Sequence, residues 1–339
     1  MERNFQMKKI SVLGMGSWGT TLAILLAEKG FLVTGWEWIK ERAVEMQQER
    51  INKYFLPDCL FPKNLNIINN LSKVASFGEI IVIALPSHVV RSIIHQIRYD
   101  LKDKKFVSVT KGLEINSLMR ISEIVIDETE ILLENFAALS GPTHSEEVSK
   151  KLPAAIVSAS INEDFAKQVQ EIFMTNYFRV YTSTDIIGVE LGAALKNVIA
   201  IGAGIADGMR VGDNAKAALI TRGLREITRL GVKCGANPHT FSGISGIGDL
   251  IVTCASRHSR NRFVGEQLAK GKTLHEIIDS MVMIAEGIKT TQSAYQLSKK
   301  MNVEMPITNE IYNILFNNFS PQEGLKKLMN RSAKSEDEF

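Results

Sequence analysis

Through its first half the chain alternates short apolar runs with stretches whose apolar residues recur at helical spacing. The runs at 10–13, 32–36, 65–68, 80–85, 106–109 and 136–139 are continuous or nearly so, as expected of strands covered on both faces. Between them the 3.6-residue period predicts helices over 17–29, 39–50, 88–98 and 114–126. Apolar strands alternating with helices imply a parallel sheet, and 154–159 and 178–181 read as further strands at its far side. After Asp185 the strand signals stop. Helical patterns then cover 188–207, 214–230, 239–244, 262–270, 274–280, 288–300 and 305–316. The predicted fold class is α/β plus all-α, with a parallel-sheet domain over 1–186, an all-helical domain over 187–330 and a polar tail over 331–339.

The first strand runs directly into Gly14-Met15-Gly16-Ser17-Trp18-Gly19, which fits G-x-G-x-x-G at the opening of a helix. Glycines there allow a tight turn and close backbone approach to a pyrophosphate, which sits on the helix amides. In this strand–turn–helix context the motif predicts a Rossmann-type dinucleotide site. The second strand ends in Gly35-Trp36-Glu37-Trp38, and Glu37 lies 18 residues after Gly19. An acid there can hold the ribose hydroxyls of NAD, whereas Lys40 and Arg42 can hold a 2′-phosphate, so NAD and NADP both stay open. Leu85-Pro86-Ser87-His88 follows the apolar strand at 80–85, at the carboxyl end where such sheets bind ligands.

Length and composition narrow the functional classes. At 339 residues the chain suits about two domains, and 45% hydrophobic residues suit a soluble protein with a sizeable core. A formal charge of +3, from 40 basic and 37 acidic residues, is too balanced for a nucleic-acid or anionic-membrane binder. Cys59, Cys234 and Cys254 form no spaced pair and, with the histidines, no metal-ligand cluster, so no metal site is expected and the thiols suit a reducing compartment. Lys8 and Lys9 before an apolar stretch mimic a signal peptide, but glycines and hydroxyl residues interrupt it and no cleavage site follows. No membrane insertion is expected, and the protein reads as cytoplasmic.

The strongest chemical signal is Lys196. It lies in GVELGAALKNVIAIGAGIA, residues 188–206, whose only charges are Glu190 and Lys196. On a helix its neighbours three, four, seven and eight positions away include Gly192, Ala193, Ala200, Ala203 and Gly204, a bare stripe where another backbone or a ligand can come close. A buried ammonium is costly unless paired, so Lys196 is in either a salt bridge or an active site. Four further groups stand out. Thr110-Lys111-Gly112 and Ser140-Gly141-Pro142-Thr143 each follow a strand. Asp249 and Thr253 are four apart, on one face if helical, and Ser259-Arg260-Asn261-Arg262 combines hydroxyl, guanidinium and amide as phosphate recognition needs.

With these residues in view, the chain resembles the bacterial-type NAD(P)-dependent glycerol-3-phosphate dehydrogenases from about Lys9 to about Met329. The motifs that carry the resemblance are GMGSWGTTLA, LPSH, VTKGLE, LSGPT, GVELGAALKNVIAIGAGIADG, GDLIVTC and SRNRFVG. It implies a dinucleotide-binding domain, a helical domain and an active site between them. The implied reaction is reversible reduction of dihydroxyacetone phosphate to sn-glycerol 3-phosphate, the glycerol backbone of phospholipids, with NAD or NADP as cofactor. The catalytic set is Lys196, Lys111, Asp249 and Thr253. Substrate positions are Lys111, Gly141, Thr143, Lys196, Asn197, Asp249, Ser259, Arg260 and Asn261. Cofactor positions are Gly14, Gly16, Ser17, Trp18, Gly19, Trp38, Pro86, Lys111, Ser145, Arg260, Ile284 and Glu286. Trp38 stands where bacterial members often have a basic or histidine residue, and His144-Ser145 replace an apolar residue and Ala. A lysine beside the substrate oxygen can stabilise its developing charge and donate the proton, two close lysines depress each other's pKa, and Asp249 balances them. A homodimer is expected. The competing readings are a related hydroxyacid or ketopantoate-type reductase, which would lack the SRNR cluster, and a non-catalytic dinucleotide-sensing module.

Overall fold

The structure is a computed structural model that describes residues 8–101, 103–281, 285–333 and 335–336. Eight strands form the main sheet: β1 (Lys9–Leu13), β2 (Leu32–Trp36), β5 (Leu65–Ile68), β6 (Ile80–Ile83), β7 (Lys105–Ser108) and β8 (Phe136–Ser140), which pair in parallel, and β9 (Ala154–Ala159) and β10 (Phe178–Ser183), which are parallel to each other. Their spatial order is β10-β9-β8-β7-β6-β1-β2-β5. β3 (Ile51–Asn52) and β4 (Leu56–Leu60) make a separate antiparallel hairpin. The chain leaves β1 for β2 and β5, then returns to place β6 on the other side of β1. The strand order therefore reverses at β1 and β6, where open parallel sheets bind ligands at their carboxyl ends.

The helices of the first half are α1 (Ser17–Glu28), α2 (Lys40–Glu49), α3 (Leu71–Phe77), α4 (Val90–Ile97), α5 (Ile121–Thr129), α6 (Ser145–Val148) and α7 (Glu163–Phe173). Those that follow are α8 (Ile186–Met209), α9 (Asp213–Lys233), α10 (Pro238–Phe241), α11 (Asp249–Ala255), α12 (Arg260–Ala269), α13 (Leu274–Asp279), α14 (Glu286–Lys300), α15 (Pro306–Phe316) and α16 (Pro321–Met329). β1 and β6 present four consecutive buried residues each, which is why they read as unbroken apolar runs. Val12, Val33, Val82 and Val107 from four adjacent strands pack with Leu22 and Leu26 of α1 and Phe165 of α7 in one core.

The chain divides into two compact units. An α/β unit holds the residues up to Thr110, Ile121–Leu139 and Thr143–Ile186, and a helical unit holds Lys111–Arg120, Ser140–Pro142 and the residues from Ile187 onward. α8 is the axis of the helical core: Leu195, Ile199 and Ala203 pack among Leu230 of α9, Leu250 of α11, Val264 of α12 and Ile311 of α15. By length and hydropathy alone α8 could cross a membrane, but nearly all of it is buried inside the protein. A helix that is apolar on every side is what a core centre requires.

Residues 111–120 depart from the sequence expectation. A helix over 114–126 is predicted, yet only Ile121–Thr129 is helical. The preceding strap turns back on itself, with Leu118 at φ 64° and the Glu114 amide donating to the Met119 carbonyl. Leu113 is buried in the helical core, and Arg120 Nη1 donates to Glu190 Oε2 of α8 at 2.8 Å. These two anchors override the strap's local helical pattern.

Candidate active site

Lys196 lies near the middle of α8, 5% exposed, among Leu195, Val198 and Ile199. Its Nζ donates to Asp249 Oδ1 and, at 2.7 Å, to Thr253 Oγ1. Asp249 opens α11 directly after a π-helical turn at Ile244–Gly248. That turn is tight: a Cβ on Gly246 would meet the Phe241 carbonyl oxygen at 2.2 Å. Asp249 and Thr253, four apart on the helix, share a face as their spacing predicts, and Thr253 Oγ1 returns a hydrogen bond to the Asp249 carbonyl at 2.6 Å.

The strap of residues 111–120 brings the second ammonium. Lys111 Nζ donates to Asp249 Oδ2 at 2.9 Å and to the Gly141 carbonyl at 3.0 Å. Ser140 Oγ points at the same carboxylate oxygen from 3.5 Å. One buried carboxylate thus lies between two ammonium groups, leaving an excess positive charge in a site with little water. Isolated buried charge is costly, so the arrangement attracts an electron-rich or anionic oxygen.

The electrostatics follow from burial. Desolvation pulls the Lys196 ammonium down to about 7, the nearby Lys111 adding to the effect and Asp249 opposing it. Mutual repulsion of the lysines, the cause expected from sequence, is the smaller contribution. Burial alone would push the Asp249 carboxyl up, but Lys111 and Lys196 together hold it below its ordinary range. Cys254, one position beyond Thr253, is buried and its thiol is pushed up to about 12, which makes it a poor nucleophile. Among the described residues no group of His, Cys, Asp and Glu is arranged to hold a metal.

Asn197 lies beside this cluster, and Asn261 is bonded to Asn197. Asn197 Nδ2 donates to the Ala193 carbonyl at 3.3 Å and to the Lys111 carbonyl at 3.5 Å, and its Oδ1 accepts from Asn261 Nδ2 at 2.9 Å. Asn261 Oδ1 accepts from the Gly287 amide, next to Glu286 at the start of α14. Ser259 caps α12 by accepting from the Arg262 amide at 3.2 Å, so the helix begins at Arg260 rather than at 262. Arg260 is exposed at that first position. Gly141 is buried in the helical unit, and Thr143 lies on the turn after β8 in the α/β unit.

The glycine motif is positioned as its context predicts. Gly14 has φ +99°, and a Cβ there would meet the Ala84 carbonyl oxygen at 2.6 Å. A Cβ on Gly19 would lie 1.9 Å from the Gly14 oxygen, whereas one on Gly16 would meet nothing within 4 Å. The first and third glycines therefore permit the turn and the helix–strand approach, and the second leaves open space over the start of α1. No side chain caps that helix, whose first turn holds Ser17 and Trp18, and the buried Ser17 Oγ and Trp18 Nε1 have no hydrogen-bond partner. An uncapped helix start over open space fits a pyrophosphate.

Pro86 lies just after β6, Ser145 is the buried first residue of α6, and Ile284 lies outside the described residues. Trp38 is 70% exposed past β2. Glu37, by contrast, is 3% exposed. Its Oε1 accepts from the Ile39 amide at 3.0 Å, and burial pushes its carboxyl up. Arg42 stacks over the Tyr54 ring with its guanidinium carbon 4.4 Å from the ring centroid.

Two contributors lie outside the expected site set, Ser140 at Asp249 and the Arg120–Glu190 pair that ties the strap to α8. The signal for the pair was legible: Glu190 is the other charge in an otherwise apolar helix.

A parallel sheet with a glycine-lined helix start, and a helical unit with a buried lysine–carboxylate cluster, are the equipment of a dinucleotide-dependent oxidoreductase. Residues 9–166 match the N-terminal part, and 185–326 the C-terminal part, of the family described as NAD-dependent glycerol-3-phosphate dehydrogenase. The chain is 48% identical over 332 residues to the NAD(P)+ glycerol-3-phosphate dehydrogenase of Lysinibacillus sphaericus, covering 97% of this chain and 98% of that protein. It is 50% identical over 329 residues to that of Chlorobium chlorochromatii, covering 96% and 99%. The crystal structure of glycerol-3-phosphate dehydrogenase from Coxiella burnetii superimposes with a TM-score of 0.92 at 36% identity, covering 96% of this chain and 99% of that one. The chain belongs to the NAD-dependent glycerol-3-phosphate dehydrogenase family.

Proposed function

We propose that the chain catalyses reversible NAD(P)H-dependent reduction of dihydroxyacetone phosphate to sn-glycerol 3-phosphate, supplying the glycerol backbone for phospholipid synthesis. The observation that carries this reading is the buried Lys196–Asp249–Lys111 cluster with Thr253 accepting from the same Lys196 ammonium. The nicotinamide of the bound cofactor supplies the hydride. As negative charge builds on the carbonyl oxygen, the Lys196 ammonium stabilises it and then delivers its proton. Lys111 adds positive charge beside it, and Asp249 with Thr253 keeps the Lys196 side chain aimed. Ser259, Arg260 and Asn261 hold the phosphate at the start of α12, with Gly141, Thr143 and Asn197 completing the substrate contacts.

On the cofactor side, Gly14, Gly16, Ser17, Trp18 and Gly19 receive the pyrophosphate. Trp38, Pro86, Lys111, Ser145, Arg260, Ile284 and Glu286 complete the set. The buried Glu37 at the end of β2, with Arg42 engaged on Tyr54, favours a free ribose diol over a 2′-phosphate. The reading is of a cytoplasmic homodimer, in keeping with three cysteines that form no spaced pair in the sequence. The phosphate cluster at 259–262 argues for a phosphorylated ketone over an unphosphorylated hydroxyacid.

The experiment is loss of NADH or NADPH absorbance on adding dihydroxyacetone phosphate to folded protein. Turnover is expected with both, with the higher kcat/KM for NADH. No loss with either cofactor would rule the activity out, and a clear NADPH preference would overturn the role given to Glu37.

A further inference from the structure

The bare stripe on α8 invites a ligand in sequence, but the structure fills much of it with protein backbone. A Cβ on Gly204 would lie 1.9 Å from the Arg262 carbonyl oxygen, and one on Gly192 would lie 3.1 Å from that of Ser245. On the facing helix, a Cβ on Gly265 would lie 1.9 Å from the Ile201 oxygen. Further along, a Cβ on Gly208 would lie 2.6 Å from the Ala269 Cβ and 2.9 Å from the Glu266 carbonyl oxygen. α8 and α12 therefore touch backbone to backbone over about two turns, a seam that allows little sliding.

An ion pair closes this seam. Arg262 Nε donates to Asp207 Oδ2 at 2.5 Å, and Lys216 Nζ of α9 holds both oxygens of the same carboxylate, at 2.9 and 2.8 Å. All three side chains are about four-fifths buried, so their geometry is less dissipated by water than a surface pair. Arg262 also donates its backbone amide to Ser259 Oγ, so the residue that locks α12 to α8 is the one that closes the α12 cap. At the other end of the seam Asn261 meets Asn197, the neighbour of Lys196. Lys196 and Asp207 are eleven residues apart, about 16 Å along one face of α8.

We propose that Asp207 and Arg262, acting across the glycine seam, are positioning residues that set the span between the Lys196 ammonium and the Ser259–Asn261 phosphate grip, and so select phosphorylated over unphosphorylated ketones. The proposal rests on the reading of 259–261 as that grip. Asp207 touches neither end. It acts by holding α12 in register, so a substrate bridging the two ends depends on it, and one without a phosphate does not.

The test compares dihydroxyacetone phosphate with dihydroxyacetone in the wild type, Asp207→Asn, Asp207→Glu and Arg260→Ala. Asp207→Asn is expected to lower kcat/KM for the phosphate by about tenfold or more, since small misplacements cost that much. Its kcat/KM for dihydroxyacetone should stay within about twofold of the wild type, and Asp207→Glu, which keeps the carboxylate, should recover most of the loss. The melting temperature of each variant is read alongside. Parallel losses on both substrates, or no loss on either, would overturn the lock. Should Arg260→Ala keep full preference for the phosphate, the grip reading fails and the proposal with it. Loss of that preference in Arg260→Ala but not in Asp207→Asn overturns the lock alone.

Discussion

At the scale of single residues, the site turns on an amine that burial has brought into the range of physiological pH. Lys196 is pulled from its ordinary 10.5 down to about 7 because water is removed around it, while Asp249 keeps the charged form in play. In the proposed mechanism carbonyl reduction consumes the proton on Lys196, which makes its ammonium form the active one. That form dominates below the shifted pKa and is lost as pH rises through about 7. For reduction, kcat/KM should therefore be flat at low pH and fall above about 7, and for alcohol oxidation it should rise over the same range. Rate profiles in both directions at saturating cofactor check this. A reduction profile flat from about pH 6 to about pH 9 would show that no group of this kind governs the step. The same residue shows how far sequence can reach. A lone lysine in an apolar helix announces a paired or functional amine, but its partners lie 53 and 57 residues along the chain and only the fold brings them together.

At the scale of elements, what the sequence concealed had tertiary causes. The sheet strands were legible because burial on both faces leaves unbroken apolar runs, and α8 because only an apolar helix suits a core axis. The helix expected over 114–126 fails in its first half because Leu113 and Arg120 are claimed by the helical unit. The Ser259 cap moves the start of α12 to Arg260, which puts the guanidinium on the first turn. Element ends are held by buried groups of this kind elsewhere as well. Glu226 of α9, 1% exposed, accepts from the amides of Ile307 at 2.6 Å and Thr308 at 3.1 Å, and from the Thr308 hydroxyl at 3.0 Å. It thus caps α15, whose own N-cap residue makes no side-chain bond. Glu226→Ala strands two buried amides and should cost about 2 kcal/mol. Urea unfolding followed by helical signal checks this, and an unchanged midpoint would mean that α15 holds its start without the carboxylate.

At the scale of the whole molecule, the two units divide the chemistry. The α/β unit carries the glycine turn and the acid at the end of β2, and the helical unit carries the amines, the carboxylate that orders them and the start of α12. The chain crosses between units twice before Ile187, at Lys111–Arg120 and at Ser140–Pro142. Both crossings deliver groups to Asp249, the ammonium of Lys111 and the hydroxyl of Ser140. A linear reading puts both segments in the first domain, since nothing local marks their departure. In the proposed division of labour the helical unit supplies the proton through Lys196 and the α/β unit binds the dinucleotide. Comparing Lys196→Ala with the wild type for NADH affinity and for turnover of dihydroxyacetone phosphate tests it most directly. In Lys196→Ala kcat is expected to fall by about 10²–10⁴-fold while the NADH dissociation constant stays within about threefold. Retained turnover, or a collapse of NADH affinity that accounts for the loss, would contradict it.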